Sequence, residues 1–327
     1  MKRKILKMAG LLTLMVLPVV TSCSDDDSNN TNQDGNSIAD IASANQNLSI
    51  LVQALDRANL VATLDGQGSY TVFAPTNQAF EAFLDAKGFA SVEDVPVPTL
   101  KEILLNHVVS GAATSSSLET GYVKTMAKGS ASSTNTLSMF INTANGVVLN
   151  GGASNGGATV TTADIMASNG VVHVVNNVID LPTVTSHAIA NPDFSILVQA
   201  LTRDDQPDFA GILSGTQSAP FTVFAPNNAA FASLLTELSL PGLASIPQAT
   251  LENTLKYHVV AGQNVLSTSL MDNMEVATFQ GGEFTINLEG GASIADANGR
   301  VSTITATDVQ ASNGVVHMVN KVLLPPM

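Results

Sequence analysis

Thr71-Val-Phe-Ala-Pro-Thr-Asn-Gln-Ala-Phe80 returns 151 residues later as Thr222-Val-Phe-Ala-Pro-Asn-Asn-Ala-Ala-Phe231. Each run opens with β-branched and aromatic residues, as a short strand does. A proline then ends the strand, and an Asn-containing turn opens the next helix. Two further blocks repeat. Ser49-Ile-Leu-Val-Gln-Ala-Leu55 recurs from Ser195 to Leu201, at an offset of 146. Ser168-Asn-Gly-Val-Val-His-Val-Val-Asn-Asn177 recurs from Ser312 to Lys321, at an offset of 144. The drift in offset places insertions and deletions in loops between the blocks. The period is far longer than that of a solenoid unit, so the chain is expected to hold two whole domains, residues 37–182 and 183–327. The boundary falls near Leu181-Pro182-Thr183, with little room for a linker.

Leu48, Leu51, Val52 and Leu55 lie on one helical face, as do Phe194, Leu197, Val198 and Leu201. Asn47 and Asp193 are the expected N-caps. Thr99-x-x-Glu102 has the spacing of a capping box ahead of Leu100, Ile103 and Leu104. From Gly121 to Val175 the pattern changes to Thr/Val/Ile segments broken by Gly and Asn, which predicts strands and hairpins. Helices first and strands afterwards within each repeat define an α+β domain.

The N-terminus carries different signals. Met1-Lys-Arg-Lys4 and Lys7 precede an apolar stretch from Ala9 to Val20, the layout of a signal peptide over residues 1–22. Val20-Thr-Ser-Cys23 resembles a bacterial lipobox, with small residues where a peptidase must fit the backbone and a thiol that accepts a lipid. Cys23 is the one cysteine of the chain and the expected lipidation site, so no disulfide can form within the chain. Residues 23–36 are polar and acidic and read as a disordered tether. Ser24-Asp-Asp-Asp27 resembles the acidic signal that carries lipoproteins of the Bacteroidetes to the outer face of the outer membrane, with a periplasm-facing lipoprotein as the alternative. Membrane attachment is expected through the lipid anchor alone, because no later apolar run is long enough to span.

Residues 1–22 hold four of the 13 Lys and Arg and none of the 27 Asp and Glu, so the remainder carries a net charge of −18. Such a surface repels nucleic acid and anionic membranes, which removes both as partners.

The blocks that begin at Thr71 and Ser168, together with Tyr257-His258-Val-Val, resemble the signature regions of the fasciclin family over both repeats. That resemblance implies two tandem domains, each a β-sandwich or wedge flanked by short helices, with roles in adhesion. It also implies partner-binding positions. In the first domain these are Asn106-His107 and Asp164-Ile165; in the second, Tyr257-His258 and Asp308-Val309. Asn106 stands where the family usually has tyrosine.

The residues themselves favour structural duty for the histidines. His107 and His258 close apolar helical stripes, while His173 and His317 sit inside valine-rich strands, so imidazoles buried and bonded to backbone are expected. No carboxylate stands at metal-ligand spacing, and neither a metal nor another cofactor is expected. Gly152-Ala-Ser-Asn-Gly156 has the letters of a nucleophile elbow, but lies in a glycine-rich turn between strands. Asp296-Ala-Asn-Gly299 reads as a turn rather than a calcium loop. The leading expectation is a surface adhesion or interaction module without catalytic residues, binding an extracellular or cell-envelope protein or polysaccharide. A glycan-binding accessory to an outer-membrane uptake system comes second, although the chain has no Trp and three Tyr to serve as sugar platforms. A hydrolase using Ser154 comes last.

Overall fold

A computed structural model describes residues 35–326. Cys23, the signal peptide 1–22 and the tether through residue 34 lie outside the described residues, and no described helix is long and apolar enough to cross a membrane.

The first repeat runs α1 (Ile38–Ala44), α2 (Ser49–Arg57), α3 (Val61–Asp65), β1 (Tyr70–Pro75), α4 (Asn77–Lys87), α5 (Val97–Asn106), β2 (Val108–Ser110), β3 (Gly121–Lys124), β4 (Ser138–Asn142), β5 (Val148–Leu149), β6 (Ala158–Ala167) and β7 (Gly170–Val175). The second follows the same order: α6 (Val184–Ala190), α7 (Ser195–Leu201), α8 (Phe209–Ser214), β8 (Phe221–Pro226), α9 (Asn228–Glu237), α10 (Gln248–Tyr257), β9 (Val259–Ala261), β10 (Met274–Ala277), β11 (Glu283–Asn287), β12 (Ser293–Ala295), β13 (Val301–Ala311) and β14 (Gly314–Val319). Each repeat forms one seven-stranded sheet, β2-β1-β7-β6-β5-β4-β3 in the first and β10-β11-β12-β13-β14-β8-β9 in the second.

Most pairings are antiparallel. The exceptions are β1 with β7, in register from Tyr70↔Gly170 to Pro75↔Val175, and β8 with β14. The strand amid the helices therefore lies beside the last strand of its domain, which makes neighbours of two signature blocks far apart in sequence. The approach is close enough that a Cβ on Gly170 would collide with the Tyr70 carbonyl oxygen, and one on Gly314 with that of Phe221.

Strand alternation sorts the side chains into two cores. In the first domain Val72, Ala74 and Val172 face the helices and pack with Leu51, Leu55, Leu100 and Leu104. Phe73 and Val175 face the other way and pack against Met139 and Ile141 of β4 and Leu149 of β5. The sheet thus folds back over itself, bending where β6 shifts register between Val160 and Ile165, and gives the expected sandwich with helices on one outer face. In the second domain Phe224 and Val319 meet Phe284, Ile286 and Ile294 in the same way.

Two local expectations need correction. Helix α2 is not capped by Asn47, nor α7 by Asp193. Asn45 and Asn191 cap short 3-10 turns, and the helices start directly after them, at Ser49 and Ser195. Asn77 supplies what a local cap would have supplied: its Oδ1 accepts the Ile50 amide at 2.9 Å, and its Nδ2 donates to the Gln46 carbonyl and Ser49 Oγ. Asn228 does the same for Ile196, Pro192 and Ser195. Thr99-x-x-Glu102 forms no capping box either. Helix α5 begins earlier, at Val97, because Pro98 needs no amide partner in the first turn. Glu102 Oε2 instead accepts the amides of Lys128, at 2.7 Å, and Gly129.

Candidate functional site

Three separated residues of the first domain converge on one loop. Thr71 of β1, fully buried, donates through Oγ1 to the Gly111 carbonyl at 2.6 Å and accepts the Ala113 amide at 2.9 Å. His173 of β7 accepts the Asp164 amide at Nδ1, which leaves the proton on Nε2 to donate to the Ala113 carbonyl at 3.0 Å. Asp164 of β6 takes up Ser115, accepting its amide at 2.7 Å and its hydroxyl at 2.6 Å. Asp164 has φ +63° at the β6 bulge, a left-handed conformation that Asp tolerates better than most residues. The Ser115 hydroxyl and amide hold its carboxyl below the usual carboxylate range.

The second domain repeats the arrangement. Thr222 holds Gln263 and Val265, His317 Nε2 donates to the Val265 carbonyl at 2.8 Å, and Asp308 accepts the amide and hydroxyl of Ser267. The rings of His173 and His317 stack on Phe73 and Phe224 with centroids 5.5 and 5.3 Å apart. The second histidine of each domain is also a backbone pin. His107 Nδ1 donates to the Ile103 carbonyl at 2.7 Å while Nε2 accepts the Ile179 amide at 2.8 Å; His258 joins Thr254 and Leu323 in the same way. Burial lowers both pKa values to about 4. Asn169 and Asn313 staple the helical layer to the sheet; Asn169 accepts the Ile38 amide and donates to the carbonyls of Leu64 and Gly66.

The domains differ in what the clamped loop covers. In the second, Val265 and Leu270 are buried with Phe284 and Ile286, and Met274 packs against them. In the first, the residue whose carbonyl meets the histidine is Ala113 rather than Val265. The residue paired with the β4 isoleucine is Gly121, where Met274 pairs with Ile286 in β11. With those side chains missing, a cleft of about 420 Å³ opens between β2 and β3. Its floor is Phe73, Val109, Leu118, Val123 and Ile141, and Ser117, Glu119 and Thr120 stand at its rim.

Comparison with known proteins settles the family. The model described as "Fasciclin domain" matches residues 46–182 and 192–325. The chain belongs to the Fasciclin domain family. Protein sll1483 of Synechocystis sp. is 38% identical over 146 residues, 43% of this chain and 72% of that protein. Human periostin is 29% identical over 284 residues, 83% of this chain but 30% of periostin, so the chain spans less than a third of that relative. Among solved structures, the FAS1 domain pair of the insect cell adhesion molecule fasciclin I superposes with a TM-score of 0.50 at 18% identity, covering 84% of this chain and 95% of that one; that likeness concerns the fold.

With the fasciclin domains in view, the positions singled out by resemblance can be placed. Asn106, His107, Tyr257, His258 and Val309 are buried and cannot present a contact surface in this conformation. Tyr257 OH donates to the Glu283 carbonyl at 2.5 Å and accepts the Ala297 amide, pinning β11 and the turn after β12. Asn106, in the equivalent place, reaches only the Asp180 carbonyl, and its buried Oδ1 has no partner. Asp164 and Ile165 are partly exposed and lead to Met166, which is 64% exposed. Ser154 sits exposed in a 3-10 turn (Ala153–Asn155) between β5 and β6, without the helix a nucleophile elbow requires. The Asp296 carboxylate is used within the protein, accepting the amides of Asn298 and Arg300 in its own turn and that of Leu324 near the C-terminus.

Asp308 serves the joint between the two fasciclin domains. Lys124 Nζ donates to its carbonyl at 2.6 Å, Ser138 Oγ accepts the Gln310 amide at 3.0 Å, and Ala131 donates to the Ser312 carbonyl at 3.0 Å. Tyr122 meets His187 edge-on at 5.5 Å and donates to its carbonyl. Burial lowers the His187 pKa to about 4. The loop between β3 and β4 that supplies Ser130 and Ala131 has a shortened counterpart, Thr278–Gly282, in the second domain. That loop was not recognisable from sequence, because its role depends on a surface 182 residues away.

Proposed function

We propose that this chain is a lipid-anchored adhesion or interaction protein that binds an extracellular or cell-envelope protein or polysaccharide without catalysis. The observation that carries this reading is the fasciclin pair itself, two domains of one family joined through side chains and backbone of both into a single compact unit. The structural neighbour is a FAS1 domain pair from a cell adhesion molecule, and a joined pair offers one extended surface on which contacts add. The non-catalytic part is supported by the use made of the polar side chains: the Thr, His and Asp that recur in both repeats are consumed in bonds to backbone and to Ser115 or Ser267. Anchoring through Cys23, with display at the cell surface, rests on the lipobox-like segment and the acidic residues after it.

The test is attachment of the producing cells to abiotic and protein-coated surfaces. Deletion is expected to reduce attachment. Wild type should restore it, whereas Cys23→Ser should not. Unchanged attachment after deletion on every surface tried would count against the proposal.

A further inference from the structure

We propose, independently of the adhesive reading, that the cleft of the first domain binds a small amphipathic amine: an apolar group of about four to six carbons next to an ammonium. Three observations lead there. First, the two domains line this place differently. The same fold places Val265 and Met274 there in the second domain, so an open sandwich is not a requirement of the architecture. At about 420 Å³ it falls within the range of small-ligand pockets.

Second, the rim is held in place before any ligand arrives. Thr71, His173 and Asp164 fix Gly111, Ala113 and Ser115 through five hydrogen bonds, while Gly121 to Lys124 are paired with β4 on the opposite side. A rim that need not be ordered on binding saves the entropy that loop closure would cost.

Third, the lining states the chemistry. The floor is aliphatic and aromatic, with Phe73 and Ile141 fully buried at its base. The rim carries hydroxyls and one carboxylate, that of Glu119, and no cationic side chain lines the cleft. In a strongly acidic chain, an anionic head group would be repelled and an ammonium drawn in. The ammonium could belong to a free alkylamine or to the N-terminus of a peptide beginning with an apolar residue; both present the same group to the cleft.

Methyl NMR shifts of Val109, Leu118, Val123 and Ile141 in the full-length chain provide the readout, with Val260, Val276 and Ile286 of the second domain as internal controls. Hexylamine is expected to shift the first set saturably and leave the controls alone, with hexanoate at least fivefold weaker and hexanol between. Ala113→Val installs the side chain that the second domain already carries at this place, and should weaken hexylamine at least tenfold with the fold intact. Glu119→Gln should remove the advantage of hexylamine over hexanol. Leu-Gly-Gly amide binding more tightly than hexylamine, and losing its shifts when N-acetylated, would identify a peptide N-terminus as the source. The reverse order would identify a free amine. Equal binding of hexanoate and hexylamine, or shifts that persist in Ala113→Val, would overturn the proposal.

Discussion

His173 donates its Nε2 proton to the carbonyl of Ala113, 3.0 Å away and 60 residues earlier in the chain. The Asp164 amide donates to the other ring nitrogen, so the ring must be neutral to make both bonds. One imidazole thereby ties β7 to the β6 bulge and to the loop that rims the cleft, and His317 does the same in the second domain.

Thr71 is the other half of that clamp. Thr71→Val keeps the shape but leaves the Ala113 amide without its acceptor and the Gly111 carbonyl without its donor. Urea unfolding should show a loss of about 2 kcal/mol. The loop should also open, seen as faster hydrogen exchange at Ala113 and Ser115. A variant as stable as wild type, with unchanged exchange there, would contradict the clamp.

Acid should weaken the fold well above the carboxylate range. His107, His187 and His258 have folded pKa values of about 4 against 6.5 for the free side chain. Above pH 6.5 both folded and unfolded chains hold these groups neutral, and stability does not change with pH through them. As pH falls from 6.5 towards 4 the unfolded chain takes up protons that the folded chain refuses, and stability drops by up to about 1.4 kcal/mol per pH unit for each histidine. Below pH 4 this loss levels off. Denaturant melts across that window should show stability falling with a slope approaching three protons; a flat profile between pH 6.5 and 4.5 would refute the assignment.

Much of this was legible in the sequence, and the remainder was hidden for definite reasons. The Thr71 and Ser168 blocks identify themselves because each occurs twice, and burial of His107 and His258 follows from their place on apolar stripes. That the two blocks pair as parallel strands is a tertiary fact which local periodicity cannot carry. Glu102 was misread as a capping residue because its partners, Lys128 and Gly129, lie in a distant loop. The cleft was equally hidden. It arises from Ala113 and Gly121 meeting across a gap, and neither residue carries a pattern of its own.

The domain joint is open to direct perturbation. Lys124→Ala removes donations to the Asp308 carbonyl and to Ser138 Oγ, and should loosen the joint without unfolding either domain. Limited proteolysis around Leu181-Pro182 should accelerate roughly tenfold, the equivalent of about 1.4 kcal/mol in local opening. Unchanged cleavage would place the strength of the joint elsewhere.

Surface display makes a separate prediction. Proteinase added to intact producing cells should remove the tagged wild-type protein, and the Cys23→Ser protein should be absent from the cell-bound fraction. Protection until the outer membrane is broken would turn the search for partners to the periplasm.

The most direct test of the adhesive reading uses the protein alone. Beads coated with the purified chain should attach saturably to producing cells or to a protein or polysaccharide matrix, and soluble chain should compete. Attachment should vanish at pH 4, where the fold is weakened, and return on neutralisation. Beads that attach no better than albumin-coated controls on every such surface would contradict the account.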